Sequence, residues 1–300
     1  MPRTPILVTA AALLAFSCGS PASTQDAGNL SSGKDVTVNF KVVVGSQPFA
    51  CGQTYTGIGT NPDAGTYAPK DARFYVHDVA LTDSSGAAVP VTLTQDGVWQ
   101  NGGVALVDAE DYTGYCLTFG STGTNLKVVG TVPEGTYAGL VFKVGVPADR
   151  NHLSVNNVPS PLNTSPMYWS WTSGYRFARI EGVDASGKGL PGGLLHLGST
   201  SCVATDSTDP RKGASCIYEN IVNVAFDSFD TSTNTVLLDL AKLFQDTDLA
   251  VNTANTAGGC MSAGSDPECV PMFRKLGLPL YQDDGGVVLP AGTQSVFTKG

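Results

Sequence analysis

The sequence predicts an all-β protein: a single β-sandwich-like domain with long loops pinned by disulfides and a few short helices. Glycine (35) and proline (18) are abundant among the 300 residues, and only 14% of the chain is charged. This composition favours short strands and turns over helices. The sequence contains no internal repeat of fixed period and no domain-scale linker after Lys34. One β domain over residues 35–300 is therefore expected.

Seven segments have the apolar patterning of strands. Some alternate apolar and polar residues, and others are continuously apolar, as strands that enter a core are. The seven segments are residues 36–44, 74–81, 104–107, 127–132, 137–146, 175–180 and 194–198. Helical turns are predicted only at residues 240–244 and 271–276. Breaker-rich stretches at 45–66 and 154–166 are predicted to be long loops.

The first 18 residues have the pattern of an export signal. Arg3 supplies a positive charge, and the apolar run over residues 6–16 is too short to cross a bilayer. A small residue before Cys18 resembles the lipid-attachment site of bacterial lipoproteins, although a plain secretory signal is the alternative. Residues 19–34 then form a flexible linker. These features predict an exported protein of the periplasm or outer membrane, attached to membrane only by its lipid.

Cysteine parity agrees with lipid attachment, since removing Cys18 from the seven cysteines leaves an even number. In an oxidising compartment the other six should form disulfides. Local pairing is the simplest arrangement for Cys202 with Cys216 and for Cys260 with Cys269, which leaves Cys51 with Cys116. Six cysteines nevertheless allow fifteen connectivities.

Charge and motifs exclude several functions. The formal net charge is −9, and no basic stripe is present to displace counterions from nucleic acid phosphates. The sequence also lacks the G-x-S-x-G elbow, the phosphate-binding loop and the HExxH zinc motif. Binding is therefore a better prediction than hydrolysis or nucleotide chemistry.

Residues 147–181 concentrate the unusual side chains of the sequence. His152, Met167, Trp169 and Trp171 all lie there. If residues 167–171 are extended, Met167, Trp169 and Trp171 share one face. A thioether, two indoles and an imidazole suit a soft metal, whereas the alternative is a tryptophan-anchored core under a long loop. The histidines at 77 and 196 also lie in apolar strands, where a lone histidine is usually a core residue.

The same residues resemble the MbnP-like periplasmic proteins, the four-cysteine half of the metallo-mystery pair. The similarity extends through most of the chain after the linker. The matching stretches are FYVHDVAL (74–81), VPVTLTQDGVWQNGGVALVDAED (89–111), TGYC (113–116), GLVFKVGVP (139–147), NHL (151–153), PSPLN (159–163), MYWSW (167–171), GYRFARIEG (174–182), HLGSTSC (196–202) and GCMS (259–262). The four cysteines of the family name correspond to Cys202, Cys216, Cys260 and Cys269.

The resemblance implies a function. Members bind a single copper ion, expected here as Cu(I), and their partner is a dihaem enzyme of the MauG/cytochrome c peroxidase type. That partner oxidises the first tryptophan of a W-x-W motif to kynurenine, and copper loading depends on this change. Here that residue is Trp169, since W-x-W is Trp169-Ser170-Trp171. Indole has no lone pair to offer a metal, whereas kynurenine has an aniline nitrogen and a ketone oxygen.

The resemblance also implies the ligand set. His77, His152 and His196 each lie inside a matching stretch and are candidate copper ligands. Met167 is a softer option suited to Cu(I). Trp171 is the natural relay for the electrons withdrawn from Trp169. The implied protein handles copper by storage, transport or sensing and is a substrate of the haem enzyme, not an enzyme itself.

Two other functions stay open on the sequence. One is an extracytoplasmic β-sandwich module that binds a carbohydrate or peptide, with Trp169 and Trp171 as a stacking platform. The other is a copper oxidase or monooxygenase built on a two-histidine site. Modification of Trp169 separates the copper-handling function from the first of these.

Overall fold

The computed structural model describes residues 33–61, 66–117, 120–170, 172–206, 208, 213–282 and 284–300. The export signal, the lipid-attachment residue Cys18, nearly all of the linker and the relay residue Trp171 lie outside these ranges. Within them, no helix combines the length and the apolar character needed to cross a bilayer.

Strands dominate the described chain. In chain order they are β1 (Lys34–Val44), β2 (Gln47–Pro48), β3 (Ala68–Asp83), β4 (Ala88–Pro90), β5 (Thr92–Leu93), β6 (Gln100–Asn101), β7 (Val104–Asp108), β8 (Lys127–Val132), β9 (Tyr137–Val144), β10 (Tyr168–Ser170), β11 (Gly174–Tyr175), β12 (Ala178–Val183), β13 (Gly189–Leu197), β14 (Thr200–Ala204), β15 (Ala214–Tyr218), β16 (Val222–Phe226), β17 (Thr235–Asp239), β18 (Leu280–Tyr281), β19 (Val287–Leu289) and β20 (Phe297–Lys299). The helices are α1 (Ala148–Asn151), α2 (Leu240–Leu243) and α3 (Cys269–Leu276), with 3₁₀ turns at Gly114–Cys116 and Ser165–Met167.

Two large sheets form the body of the domain. The first has the order β20-β17-β1-β8-β5, with β2 on the end of β1, and its β1–β17 pair is parallel. The second has the order β13-β12-β3-β7-β6, with β4 and β9 also paired to β3 and β16 paired to β9. In addition to these sheets, the structure contains three two-stranded ribbons, β10–β11, β14–β15 and β18–β19.

Aromatic side chains hold the two sheets face to face. Phe40 on β1 meets Phe74 on β3 and Phe142 on β9, with ring centroids 5.8 and 5.6 Å apart and the rings edge to face. Phe297 on β20 contacts the same two rings. Such edge-to-face pairs contribute about 0.5–1.5 kcal/mol beyond area burial. The predicted all-β sandwich is confirmed.

The second sheet is also covered on its outer face. Tyr75 on β3 packs edge-to-face on Tyr175 at 5.9 Å and donates a hydrogen bond to the carbonyl oxygen of Pro161 at 3.1 Å. The loop between α1 and β10 therefore lies against this face. Because both faces of β3 are buried, almost all of its residues are buried regardless of parity.

Strand β3 is irregular at the point where it carries a histidine. Its register with β9 shifts between His77 and Ala80, and Asp78 adopts a φ of 49°. Such a bulge changes the direction in which the neighbouring side chains point. Side chains along residues 74–81 therefore do not alternate regularly between the two faces of the sheet.

Most predicted elements overlap a strand or helix of the structure, although β3 and β13 begin six and five residues earlier than predicted. Two predictions differ in kind. The strand predicted at 175–180 is two strands, because β11 pairs with β10 while β12 pairs with β3 and β13. The extended segment predicted to start at Met167 begins at Tyr168, since Met167 ends a 3₁₀ turn. The predicted shared face of Met167 and Trp169 therefore does not form.

The disulfides confirm the simplest pairing of the cysteines. Cys51 is bonded to Cys116, Cys202 to Cys216 and Cys260 to Cys269. The second of these bonds joins facing residues of β14 and β15.

Candidate metal centre

Two of the three histidines line one cavity at the edge of the second sheet. His77 comes from β3, beside its bulge, and His152 follows directly after the short helix α1. The cavity has a volume of about 960 Å³. Its other walls are formed by the end of β9, the β15–β16 connection and residues 278–281.

His77 is buried with its polar atoms unsatisfied. The side chain is 5% exposed, and neither ring nitrogen has a hydrogen-bond partner among the described residues. The carboxylate of Asp78 lies 3.4 Å from Nδ1, which is an electrostatic contact without hydrogen-bond geometry. Burial lowers the pKa of His77 below its ordinary value, although Asp78 opposes the shift. The ring is therefore neutral at pH 7 and carries a free lone pair.

His152 has its orientation set by the preceding residue. The Oδ1 of Asn151 accepts a hydrogen bond from the backbone N–H of Tyr175 at 2.9 Å. Its amide nitrogen consequently faces Ser199 Oγ at 3.1 Å and His152 Nε2 at 3.3 Å. Because the amide nitrogen is a donor, Nε2 is the unprotonated nitrogen of His152.

A disulfide borders the same imidazole. Cys216 Sγ lies 3.2 Å from His152 Nε2. The ligand atoms of His152, Cys202 and Cys216 all lie within 4.8 Å of one another. In the oxidised protein these sulfurs are paired and cannot act as thiolates.

His196, the third candidate ligand, is not among the residues that line this cavity. Antiparallel pairing of β12 with β13 sets it opposite Arg179. Its Nε2 donates to Glu181 Oε1 at 2.8 Å, and its Nδ1 accepts from Arg176 Nε at 3.3 Å. Both ring nitrogens therefore have hydrogen-bond partners, which favours a structural role for His196, and its role as a copper ligand stays a prediction.

Glu181 connects His196 to a buried network of charges. Arg179 donates to its carboxylate at 2.7 Å and reaches Asp71 Oδ2 at 3.2 Å. Burial would raise the pKa of Glu181, but the hydrogen bond from His196 and the charge of Arg179 lower it to about 2. The carboxylate is therefore ionised at neutral pH and accepts hydrogen bonds from both His196 and Arg179.

The network continues through a second arginine. Arg73 forms a bidentate ion pair with Asp71 and lies 3.7 Å from Glu110. Burial raises the pKa of the neighbouring Asp108 to about 8, against the opposing charge of Arg73. These paired charges have the pattern of a structural network.

Met167 is not among the residues that line the histidine cavity or the groove at Trp169. Its side chain is fully buried in the hydrophobic core. This position favours a packing role for Met167, and its role as a soft ligand stays a prediction.

Trp169 lies in a groove that adjoins the histidine cavity. It is half-buried, and the groove has a volume of about 620 Å³. Ser199 and Tyr281 line both spaces. The indole lies on Gly198, where a Cβ atom would be 2.4 Å from the ring, so that position requires glycine. Arg176 covers the ring at 5.3 Å from its centroid.

The arrangement fits an ion that favours nitrogen ligands. The imidazoles of His77 and His152 line one cavity, and the two ring nitrogens of His77 have no hydrogen-bond partner in the described part of the chain. Imidazole suits copper in both oxidation states and also zinc. The indole of Trp169 contributes no donor in its unmodified form.

Sequence reasoning did not identify the residues that orient the site. Asn151 and Ser199 position His152, while Asp78 and Lys143 form an ion pair at 3.0 Å on the cavity rim. The matching stretches at 151–153 and 196–202 contain the first two. Their roles depend on contacts across 48 residues of sequence, which no local pattern displays.

Comparisons with known proteins agree on one family. The family model for MbnP matches residues 33–262. Among solved structures, MbnP from Methylosinus trichosporium is 33% identical, with a TM-score of 0.73 over 89% of this chain and 98% of that one. A comparison with curated proteins finds no match.

Proposed function

This chain belongs to the MbnP family, and from that premise we propose that it binds one copper ion, as Cu(I), through His77 and His152. The observation that carries the proposal is the buried imidazole of His77, whose two nitrogens have no hydrogen-bond partner in the described residues. Leaving a buried polar group unpaired costs about 1–3 kcal/mol, and a bound metal ion removes that cost. His152 lines the same cavity, and its Nε2, which accepts a hydrogen bond from the Asn151 amide, is the proposed second ligand.

Trp169 completes the site after oxidation to kynurenine. The half-buried ring lies in the adjoining groove, where Ser199 and Tyr281 form the common wall. Cleavage of the indole C2–C3 bond converts a residue without a metal donor into one with an aniline nitrogen and a ketone oxygen. These new donor atoms explain why copper binding would depend on the modification of Trp169.

The oxidation needs an external oxidant and a haem partner. We assign it to a dihaem enzyme of the MauG type that consumes hydrogen peroxide. Two molecules of hydrogen peroxide accept at the haem the four electrons and four protons withdrawn from the indole and are reduced to four waters. Two water molecules supply the oxygen atoms added across C2–C3, and hydrolysis then releases the C2 carbon as formate. The electrons leave through Trp171 on this proposal.

The protein is then a substrate and a copper carrier, not an enzyme. It works in the cell envelope after export, held there by a lipid on Cys18, and serves in storage, transport or sensing of copper. Strong buried ligands with a partly open cavity suit a protein that keeps hold of its ion until another protein removes it.

The test is to co-produce the wild type and Trp169→Phe with the dihaem partner. In the wild type, the peptide containing residue 169 should gain one oxygen and lose one carbon, and the purified protein should hold copper at one ion per chain. Trp169→Phe should lack both the modification and the copper while keeping its melting temperature. The measurements are peptide mass, metal content and thermal unfolding.

Trp99→Phe is the matched control, since Trp99 is also partly buried against the core. It should keep both modification and copper. Full copper content in Trp169→Phe would refute the role of kynurenine. An unmodified, copper-free wild type with affinity for sugars or peptides would support the binding-module alternative instead.

A further inference from the structure

The three disulfides differ in their access to solvent. Cys51–Cys116 and Cys260–Cys269 lie in the core, with every sulfur-bearing residue at 2% exposure or less. Cys202 and Cys216 are both partly exposed on the β14–β15 ribbon. Thiol–disulfide exchange requires a reductant to reach a sulfur atom, so the ribbon disulfide is the one open to exchange.

The accessible disulfide is also the one beside a metal-ligating side chain. Cys216 Sγ is 3.2 Å from His152 Nε2, and the three potential ligand atoms of His152, Cys202 and Cys216 fit within 4.8 Å. Among the described residues, no other group of three His, Cys, Asp or Glu side chains meets that spacing. The amide nitrogen of Asn151, which is fixed by the backbone N–H of Tyr175, donates to the same Nε2 and sets the orientation of the ring beside the disulfide.

The ribbon holds the two sulfur atoms together even without their bond. The ladder around them pairs Thr200 with Tyr218 and Val203 with Ser215. Tyr218 is further held by a parallel stack on Tyr281, with centroids 4.4 Å apart. Two thiols released here would stay opposite each other and close to His152.

We propose that reduction of Cys202–Cys216 creates a second metal site, with two thiolates and His152 as ligands, for soft ions such as Cu(I), Zn(II) or Cd(II). The reductant is a dithiol. Its two thiols give two electrons and two protons, one S–S bond breaks in the ribbon and one forms in the reductant. Metal binding then releases the two cysteine protons.

Reduction of Cys202–Cys216 converts weak sulfur donors beside His152 into strong ones. Disulfide sulfur is a poor donor, whereas a pair of thiolates with an imidazole is a preferred set for soft metals. The site needs neither kynurenine nor His77. It shares His152 with the proposed copper site, so reduction would move the ion toward the ribbon.

The experiment uses full-length exported protein and Cd(II) as the probe. Protein is treated with dithiothreitol without denaturant, freed of reductant by anaerobic gel filtration and titrated with Cd(II). Alkylation and peptide mass should find two new thiols, at Cys202 and Cys216. Thiolate-to-cadmium absorption should saturate at one ion per chain.

Variants separate this site from the one in the previous section. Cys216→Ser should abolish the cadmium absorption, and His152→Gln should weaken binding by on the order of 10-fold or more. His77→Phe and Trp169→Phe should bind Cd(II) as the wild type does, although both lose copper under the proposed function. Failure of the copper proposal therefore leaves this result unaffected.

Several outcomes would overturn the proposal. One is a native-state reduction that leaves the ribbon disulfide intact or opens a buried one first. Another is unchanged Cd(II) affinity in a folded His152→Gln protein, which would show a plain dithiol without the imidazole. A third is thiols at both positions without thiolate-to-cadmium absorption.

Discussion

His77 on β3 and His196 on β13 are both buried imidazoles of the second sheet, but their ring nitrogens differ in their hydrogen-bond partners. His196 has a partner at each ring nitrogen, and its partners Glu181 and Arg176 have further partners of their own. His77 has no hydrogen-bond partner within the described chain. Native proteins rarely leave buried polar atoms unpaired. On the proposed function, the cavity of His77 and His152 binds the metal ion, whereas the hydrogen-bonded network around His196 stabilises the fold.

The largest expected effect tests the structural half of this comparison. Arg73→Met removes a side chain that is 2% exposed and leaves Asp71 and Glu110 without their shared cation. Breaking a buried ion pair costs about 3–5 kcal/mol, so the free energy of unfolding at pH 7.5 should fall by that amount in urea titration.

Lys275→Met is the control, because Lys275 pairs with an exposed carboxylate, that of Asp246. An exposed pair contributes about 0–1 kcal/mol. Equal losses in the two variants would mean that the buried network does not stabilise the fold.

Stability at low pH is a second test of whether the buried charge network stabilises the fold. The pKa of Glu181 falls from 4.5 to about 2 in the folded state. A lowered pKa gives stability that is complete above the unfolded value and is lost as pH falls toward the folded one. Roughly 3 kcal/mol should be lost through Glu181 between pH 5 and pH 2. Glu181→Gln should flatten that part of the stability curve, and an unchanged slope would contradict the assignment.

A matched pair of substitutions compares the two histidines directly. His196→Phe removes one hydrogen-bond partner from each of Glu181 and Arg176 and should destabilise the fold by about 1–3 kcal/mol. His77→Phe removes two unpaired nitrogens beside an open cavity, so it should stay within about 1 kcal/mol of the metal-free wild type or exceed it. Chemical denaturation of the metal-free proteins measures both. A loss for His77→Phe as large as that for His196→Phe would remove the contrast.

The all-β fold and several of its strands could be predicted because these strands have local signatures, whereas short strands such as β4, β5 and β6 were not predicted. The apolar patterns at 36–44 and 127–132 correspond to β1 and β8 to within two residues, and the turn-rich cysteine loops pair locally. The split of the segment 175–180 was not predictable, since it depends on which neighbour each half pairs with.

The candidate site was only half predictable for the same physical reason. All three histidines lie in apolar strands or family stretches, so their local patterns are equivalent. The histidines differ in their contact partners, which come from other parts of the sequence. Glu181 contacts His196 across the β12–β13 pair, and Cys216 lies against His152 although 64 residues separate them in the chain. Whether a histidine ring nitrogen has a hydrogen-bond partner depends on tertiary contacts, which a local sequence pattern does not show.

Copper content of the three histidine variants tests the central claim most directly. His77→Phe, His152→Phe and His196→Phe are produced with the dihaem partner, and peptide mass first verifies that each contains kynurenine at position 169. Metal analysis should then find copper lost from the His77 and His152 variants and retained at wild-type stoichiometry in folded His196→Phe. Retention of full copper by His77→Phe, with loss from folded His196→Phe, would contradict the assignment of the site.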